Sequence, residues 1–256
     1  MAGAVEAMLV PFLEAPTTAG VFSDFDGTLA PIVPQPADAR PLDGVVPALA
    51  ALAARFARVG VISGRPASFL DRHLGGQGLI LSGLYGLEAV IDGEVVAAPE
   101  AECWRPVVAS AADRAEVEMA RTVTVERKGL SVTLHYRTDP AREAEVRRWT
   151  EAAEASTGLV VHEARMSYEL RPPVRCDKGT VLEHEGRGLA AVCFLGDDRG
   201  DLEAFDALDR LAAGGAATVR VTVDSLETPQ ELRERADAVV AGPAGALAFL
   251  RHLLGA

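Results

Sequence analysis

The stretch Ser23-Asp24-Phe25-Asp26-Gly27-Thr28-Leu29 constrains this chain more than any other. It follows the apolar run Ala19-Gly20-Val21-Phe22, which predicts a short buried strand, and it breaks at Gly27 ahead of Pro31 and Pro34. Two carboxylates therefore stand at the C-terminal end of a strand, where open α/β sheets bind their ligands. Asp24 and Asp26 are two residues apart, so an extended backbone puts them on one face, and Gly27 lets the chain swing the second towards the first. Like charges that close are costly without a cation, and Mg²⁺, which takes one or two carboxylates together with phosphate and water, is the natural partner. Asp-Gly is also an ordinary turn signal, so the rest of the chain must supply the other parts of a site.

At 256 residues the chain can hold one full core and a second, smaller unit. A net charge of −12 argues against a phosphate-backbone binding surface, which needs a basic patch, so no nucleic-acid partner is expected. Met1 to Leu13 contains no Lys or Arg, unlike the basic start of a secretory signal, and no apolar run is long enough to cross a bilayer. Cys103, Cys176 and Cys193 have no metal-type spacing and read as unpaired thiols of a reducing compartment. A soluble cytoplasmic protein without a membrane partner is the expectation.

A Pro-rich loop, Pro31 to Pro41, is expected over the site, followed by a helix over Asp43 to Arg58. Val59-Gly60-Val61-Ile62 predicts a second strand that ends at Ser63-Gly64-Arg65-Pro66. The right-handed βαβ crossover then brings Ser63 beside Asp24. A serine there can donate to a phosphoryl oxygen, or cap a helix over Pro66 to Leu74. Gly78 to Leu81 and Leu87 to Ile91 predict strands around the corner Ser82-Gly83-Leu84-Tyr85-Gly86, and Asp92-Gly93 predicts a hairpin to Glu94-Val95-Val96.

The pattern changes near Trp104. Helices over Pro106 to Arg121 and Pro140 to Ser156 alternate with strands over Thr122 to Glu126, Ser131 to Arg137, Leu159 to Glu163 and Ser167 to Arg171. This α-β-β-α-β-β run predicts a separate unit, giving core residues 1–103, an inserted cap over 104–173 and core residues 174–256. Asp177-Lys178-Gly179 then offers an ammonium where charge on a transferring group could be offset. Gly188 to Leu195 predicts another buried strand, and it opens into Gly196-Asp197-Asp198-Arg199-Gly200-Asp201, an acidic mouth suited to a divalent cation. Further strands are expected over Val219 to Val223 and Ala238 to Val240, with a closing helix over Pro243 to Leu254.

Asp-Phe-Asp-Gly-Thr-Leu, Ser-Gly-Arg, Asp-Lys-Gly and the acidic mouth occur in the order of the four motifs of the haloacid dehalogenase superfamily, which they resemble. Val125-Glu126-Arg127-Lys128-Gly129-Leu130-Ser131, His135-Tyr136-Arg137 and Tyr168-Glu169-Leu170-Arg171-Pro172 are similar to strings of the trehalose-phosphatase family, over roughly residues 18 to 250. The resemblance implies a doubly wound parallel sheet with an inserted α+β type 2 cap, and a Mg²⁺-dependent hydrolase of trehalose 6-phosphate working through an aspartyl-phosphate. A phosphatase of the same mechanism on a sucrose- or glucosylglycerol-type phosphate, or a catalytically silent sugar-phosphate-binding domain, are the alternatives.

On this resemblance Asp24 is the nucleophile and Asp26 the general acid and base, with Ser63 and Lys178 holding the phosphoryl group. The metal falls to Asp24, Asp26 through its carbonyl, Asp197 and Asp198, with Asp201 supporting. Arg65, Gly83, Tyr85, Glu126, Lys128, Glu169 and Arg171 are the substrate-binding candidates. Functional coupling to a trehalose-phosphate synthase is a further implication. The corner at Gly83 to Gly86 departs from the family, which often carries Ser and His there, and Gly200-Asp201-Leu202 stands where Thr-Asp-Glu is common.

Overall fold

Along the chain, α1 (Ala2–Glu14) leads into β1 (Ala19–Ser23), α2 (Val45–Ala53), β2 (Arg58–Ile62), α3 (Ala67–Leu74) and β3 (Ile80–Gly83), followed by the hairpin β4 (Glu88–Ile91) and β5 (Glu94–Ala97). The computed structural model describes residues 2–76, 78–119, 123–164 and 166–255. The expected helix end at 120–121 and strand start at 122 lie outside them. The middle of the chain holds α4 (Pro99–Glu102), α5 (Arg105–Glu118), β6 (Thr124–Arg127), β7 (Val132–His135), α6 (Glu143–Thr157), β8 (Val160–Ala164) and β9 (Ser167–Arg171). The chain closes with α7 (Lys178–Gly186), β10 (Ala191–Gly196), α8 (Leu202–Ala213), β11 (Ala217–Asp224), α9 (Gln230–Arg235), β12 (Ala238–Ala241) and α10 (Gly242–Leu253). Two compact units result: residues 1–95 with 176–256, and residues 96–175.

The first unit is built on an eight-stranded sheet in the order β12-β11-β10-β1-β2-β3-β4-β5. From β12 to β3 every neighbour is parallel, and β4 turns antiparallel on β3. Side chains alternate across these strands into two apolar layers. Val21, Val59, Val61, Leu195 and Val221 pack under α1, α2, α3 and α10, through Phe12, Leu49, Leu70 and Leu250. Phe22, Ile62, Val192 and Phe194 pack on the opposite side against Leu182 of α7, Phe205 and Leu208 of α8, and Leu232 of α9. Helices thus cover both faces, which is the doubly wound arrangement expected from the alternating strand and helix pattern.

Several elements differ from the expectation. The helix expected over Asp43 to Arg58 is α2 alone, because left-handed Gly44 (φ 95°) delays its start and the chain turns at Ala54 to join the sheet at Arg58. The strand expected from Gly188 begins at Ala191, after a left-handed Gly188 (φ 76°). α1, α8 and α9 were not anticipated. In α1, Leu9 and Phe12 are buried, three residues apart on one face. Among the described residues, no helix is long and apolar enough to cross a membrane, and no cysteine is in a disulfide.

The second unit is a four-stranded antiparallel sheet, β6-β7-β9-β8, with α5 and α6 on one face. Val132, Leu134, Tyr168 and Leu170 point to those helices and meet Val108, Ala111, Val146 and Ala153. The alternate residues of the same strands leave the other face, and they are polar.

Candidate active site

Asp24 is the first residue beyond β1, and its N–H still donates to Leu195 of β10 at 2.9 Å, so the sheet fixes its backbone. Phe25 and Leu29 are fully buried, which pins the loop on both sides of Asp26 and Gly27. Gly27 has φ 78°, and a methyl group there would overlap the Asp197 carboxylate, so only glycine lets the two loops close on each other. Thr28 donates its hydroxyl to Asp197 at 3.3 Å across that approach.

Lys178 enters from the start of α7, where Asp177 caps the helix through the Thr180 N–H and Thr180 answers from its side chain. Buried at 3% exposure, the Lys178 ammonium lies 3.1 Å from Asp24 Oδ1 and 2.6 Å from Asp201 Oδ1. Asp201 closes a short 3₁₀ turn, and its Oδ2 accepts from the Asp197 and Asp198 N–H groups at 2.8 and 3.0 Å. This turn points the carboxylate back into the site. Asp198 instead accepts from Gly200 N–H at 2.9 Å.

Asp24, Asp197 and Asp201 each offer an oxygen, all within 4.8 Å of one another. Fully ionised, three carboxylates against one ammonium would leave an excess of two negative charges, and the donors are all hard oxygens, so the set fits a divalent cation such as Mg²⁺. Burial pushes Asp24 up to about 8, against the pull of Lys178 and with help from Asp201, Asp198 and Asp26. Burial pushes Asp201 up as well. Burial alone would lower Lys178, but Asp201 and Asp24 hold its proton well above the usual lysine range. The sequence leaves open whether Asp197 or Asp198 is the direct ligand and places Asp201 in support; the carboxylates that the fold gathers within 4.8 Å are those of Asp24, Asp197 and Asp201.

Ser63, 2% exposed, sits at the end of β2, and its hydroxyl accepts from Arg65 N–H at 3.3 Å. It does not cap α3. That helix begins after Pro66, and the Ala67 N–H is taken by the buried Glu88 carboxylate at 2.6 Å, a role the sequence reading had not assigned. Arg65 grips Asp26 with Nε and Nη2 at 2.6 and 2.7 Å, donates to the Pro36 carbonyl at 2.7 Å, and stacks over Phe69. The Pro-rich loop is thereby tied to Arg65. Gly83 packs against this turn so closely that a Cβ would stand 2.8 Å from both Ala67 Cα and the Arg65 carbonyl. Tyr85, next along, donates its N–H to the Ser63 carbonyl at 2.9 Å.

In the second unit the cross-strand register places Glu126, Thr133, Glu169 and His162 in one row on the polar face. Glu169, 1% exposed, accepts from Ser131 at 2.5 Å and lies 3.3 Å from Lys128 Nζ and 3.4 Å from Arg171 Nε. Burial alone would raise its pKa, but Lys128, Arg171 and Ser131 hold it down at about 2. Glu126 stands 3.9 Å from Lys128 Nζ and 2.8 Å from His135 Nε2. The four cap candidates are therefore one connected network, and His135 and Ser131 belong to it through their side chains.

A family model described as Trehalose-phosphatase matches residues 22–238. The trehalose-phosphate phosphatase of Mycobacterium avium (strain 104) is 40% identical over 200 residues, covering 73% of this chain and 51% of that protein. The one from Mycobacterium leprae (strain TN) is 35% identical over 216 residues, covering 78% and 50%. The chain spans about half the length of these curated relatives. The solved C-terminal domain of the C. albicans trehalose-6-phosphate phosphatase has the same fold, with a TM-score of 0.78 at 22% identity over 98% of this chain and 96% of that one. With a match over nearly its whole core and cap, the chain belongs to the trehalose-phosphatase family.

Proposed function

We propose that this protein hydrolyses trehalose 6-phosphate to trehalose and phosphate, with Mg²⁺ as cofactor. The observation that carries the reading is the buried set of Asp24, Lys178, Asp197 and Asp201 at the strand ends, in a chain of this family. Asp24 attacks phosphorus and forms an aspartyl-phosphate while the bond to the sugar oxygen breaks. Asp26, entering the step protonated, gives that oxygen its proton, and then, as the carboxylate that Arg65 holds, takes one from the water that releases phosphate and restores the Asp24 carboxylate. Ser63 and Lys178 hold the phosphoryl oxygens, where negative charge grows. Asp24, Asp197 and Asp201 would hold Mg²⁺, which when bound would supply charge neutralisation for the buried Asp24 carboxylate, whose pKa burial pushes up to about 8.

Glu126, Lys128, Glu169 and Arg171 are assigned to the sugar hydroxyls, because a connected set of charged groups makes stronger hydrogen bonds to a polyol than neutral ones. A synthase that makes the phosphorylated disaccharide is the expected functional companion, and absence of disulfides among the described cysteines supports a cytoplasmic setting. The test is phosphate release from trehalose 6-phosphate, sucrose 6-phosphate, glucose 6-phosphate and an aryl phosphate, with Mg²⁺ and with EDTA. Preference for trehalose 6-phosphate, lost on chelation, is expected. Preference for another sugar phosphate would keep the mechanism and replace the substrate, and no release from any ester would overturn the reading.

A further inference from the structure

The corner between β3 and β4 holds three successive residues in the left-handed region: Leu84 (φ 50°), Tyr85 (φ 60°) and Gly86 (φ 102°). For a bulky residue this conformation is costly, on the order of 1–3 kcal/mol, and it persists only where the surroundings impose it. They do so here. Leu84 and Tyr85 donate their N–H groups to the Arg65 and Ser63 carbonyls, each at 2.9 Å, and Cys176 Sγ donates to the Tyr85 carbonyl at 3.2 Å. The corner is thus bonded to the Ser63-Gly64-Arg65 turn and to the residue that leads into the Lys178 helix. With its backbone fixed there, the Tyr85 side chain runs in the direction its neighbours mark.

That direction is across the site. A Cβ placed on Gly64 would lie 2.5, 2.6 and 2.8 Å from the hydroxyl oxygen, Cζ and Cε2 of Tyr85. One placed on Gly200 would lie 3.9 Å from its Cε1. The two edges of the ring therefore face two different loops, the one that follows β2 and the one that follows β10. In the sheet, the strand between β2 and β10 is β1, which ends at Asp24. Tyr85 spans the gap above the nucleophile's strand, and part of its surface remains accessible.

We propose that the Tyr85 ring selects which phosphate esters reach Asp24, admitting a phosphate carried on an unbranched CH₂ and excluding one carried on a branched carbon. The inference rests on the phosphatase reading above and adds a specificity-determining residue to it. An ester on a primary carbon presents a narrow stem that passes beside the ring. An ester on a secondary carbon brings a second substituent next to the bridging oxygen, where it meets the ring that lies against Gly64. Steric exclusion of this kind is worth about 10–200-fold per misplaced carbon. The hydroxyl oxygen lies at the Gly64 edge of the ring, so the excluding role is assigned to the ring itself.

The experiment compares kcat/KM for glycerol 1-phosphate and glycerol 2-phosphate, isomers of equal charge and composition that differ only in branching at the ester carbon. The unaltered protein, Tyr85→Phe and Tyr85→Gly are measured with Mg²⁺, alongside trehalose 6-phosphate. Glycine is at ease at φ 60°, so Tyr85→Gly removes the ring without straining the corner, and Tyr85→Phe keeps the ring. The expected result is a preference of about tenfold or more for the primary isomer in the unaltered protein and in Tyr85→Phe, falling by at least about tenfold in Tyr85→Gly. An unchanged ratio in Tyr85→Gly overturns the proposal, and so does an equal loss of both isomers. If the unaltered protein hydrolyses trehalose 6-phosphate yet shows no preference between the isomers, the proposal alone fails. If it hydrolyses nothing, the phosphatase reading fails and takes the proposal with it.

Discussion

Arg65 holds the Asp26 carboxylate through two bonds, Nε at 2.6 Å and Nη2 at 2.7 Å, from a guanidinium that is itself stacked on Phe69. Thirty-nine residues separate the pair in sequence. Such a fork fixes the plane of the carboxylate as well as its distance, which matters for a group that must pass a proton in one direction and then in the other.

Arg65→Lys keeps the charge and loses the fork, because an ammonium is a point donor on a flexible stem. We expect kcat for trehalose 6-phosphate to fall about 10–100-fold with KM little changed, since Asp26 would be misplaced rather than removed. Steady-state kinetics with saturating Mg²⁺ checks this. A rise in KM at constant kcat would make Arg65 a substrate-binding group instead.

Asp24→Asn removes the nucleophile and almost no volume, so phosphate release should vanish. The same change removes one of three buried carboxylates around a single ammonium, where burial and like charge already push Asp24 up to about 8. In EDTA at pH 8 the variant should therefore melt higher, by roughly 2–4 °C for each kcal/mol of relieved repulsion. Thermal denaturation by circular dichroism reads it. A lower melting temperature together with retained turnover would contradict both roles.

Asp201 and Asp198 are bonded differently within the acidic mouth. Asp201 meets Lys178 and the Asp197 N–H and belongs to the cluster with Asp24, whereas Asp198 caps its own turn through Gly200. Asp201→Asn should raise the Mg²⁺ concentration for half-maximal activity by about 10–100-fold. Asp198→Asn keeps an oxygen for the Gly200 N–H and should move it by less than about threefold. A Mg²⁺ titration of both variants decides the order.

These pairings mark where the sequence stops being legible. The strands around Asp24, Ser63 and Asp197 are short apolar runs ended by glycine or polar residues, so their positions and parallel order follow from pattern and from the handedness of the crossover. The change of pattern near Trp104 suggests an insertion over 104–173, whereas the second compact unit runs over 96–175; in it, β7 and β9 alternate between a helix-covered face and a polar one. What the pattern misses depends on turns. Three carboxylates stand between 197 and 201, but only the 3₁₀ turn at Arg199–Asp201 decides which of them returns to Lys178. Glu88 looks like an ordinary strand residue until the hairpin carries it to the Ala67 N–H. Val5, Leu9 and Phe12 do repeat at helical spacing, a pattern legible in the sequence as α1.

Glu169→Ala tests the second unit through substrate choice. If the network of Lys128, Glu169 and Arg171 binds sugar hydroxyls, kcat/KM for trehalose 6-phosphate should fall by about 10–100-fold, as expected for losing hydrogen bonds to a charged group. An aryl phosphate, which has no sugar, should change by less than about threefold. Equal loss on both esters would remove the sugar assignment and leave Glu169 a structural residue.

Glu169 also carries a pH signature. Its carboxyl is held at about 2, against an ordinary value of 4.5, by Lys128, Arg171 and the Ser131 hydroxyl acting against its burial. A carboxyl depressed in the folded state stabilises the fold above its unfolded pKa and loses that contribution as pH falls through the folded one. The contribution is present in full at pH 7, declines below about pH 4.5, and is gone near pH 2, with a magnitude on the order of 3 kcal/mol. Glu169→Gln removes this titration and leaves Lys128 and Arg171 facing a neutral amide. The variant should therefore be less stable than the unaltered protein at pH 7, with the difference narrowing steadily between pH 4.5 and pH 2. Urea denaturation across that range, followed by Trp149 and Trp104 fluorescence in the second unit, measures it, and a difference that stayed constant with pH would show that Glu169 is not held ionised by its neighbours.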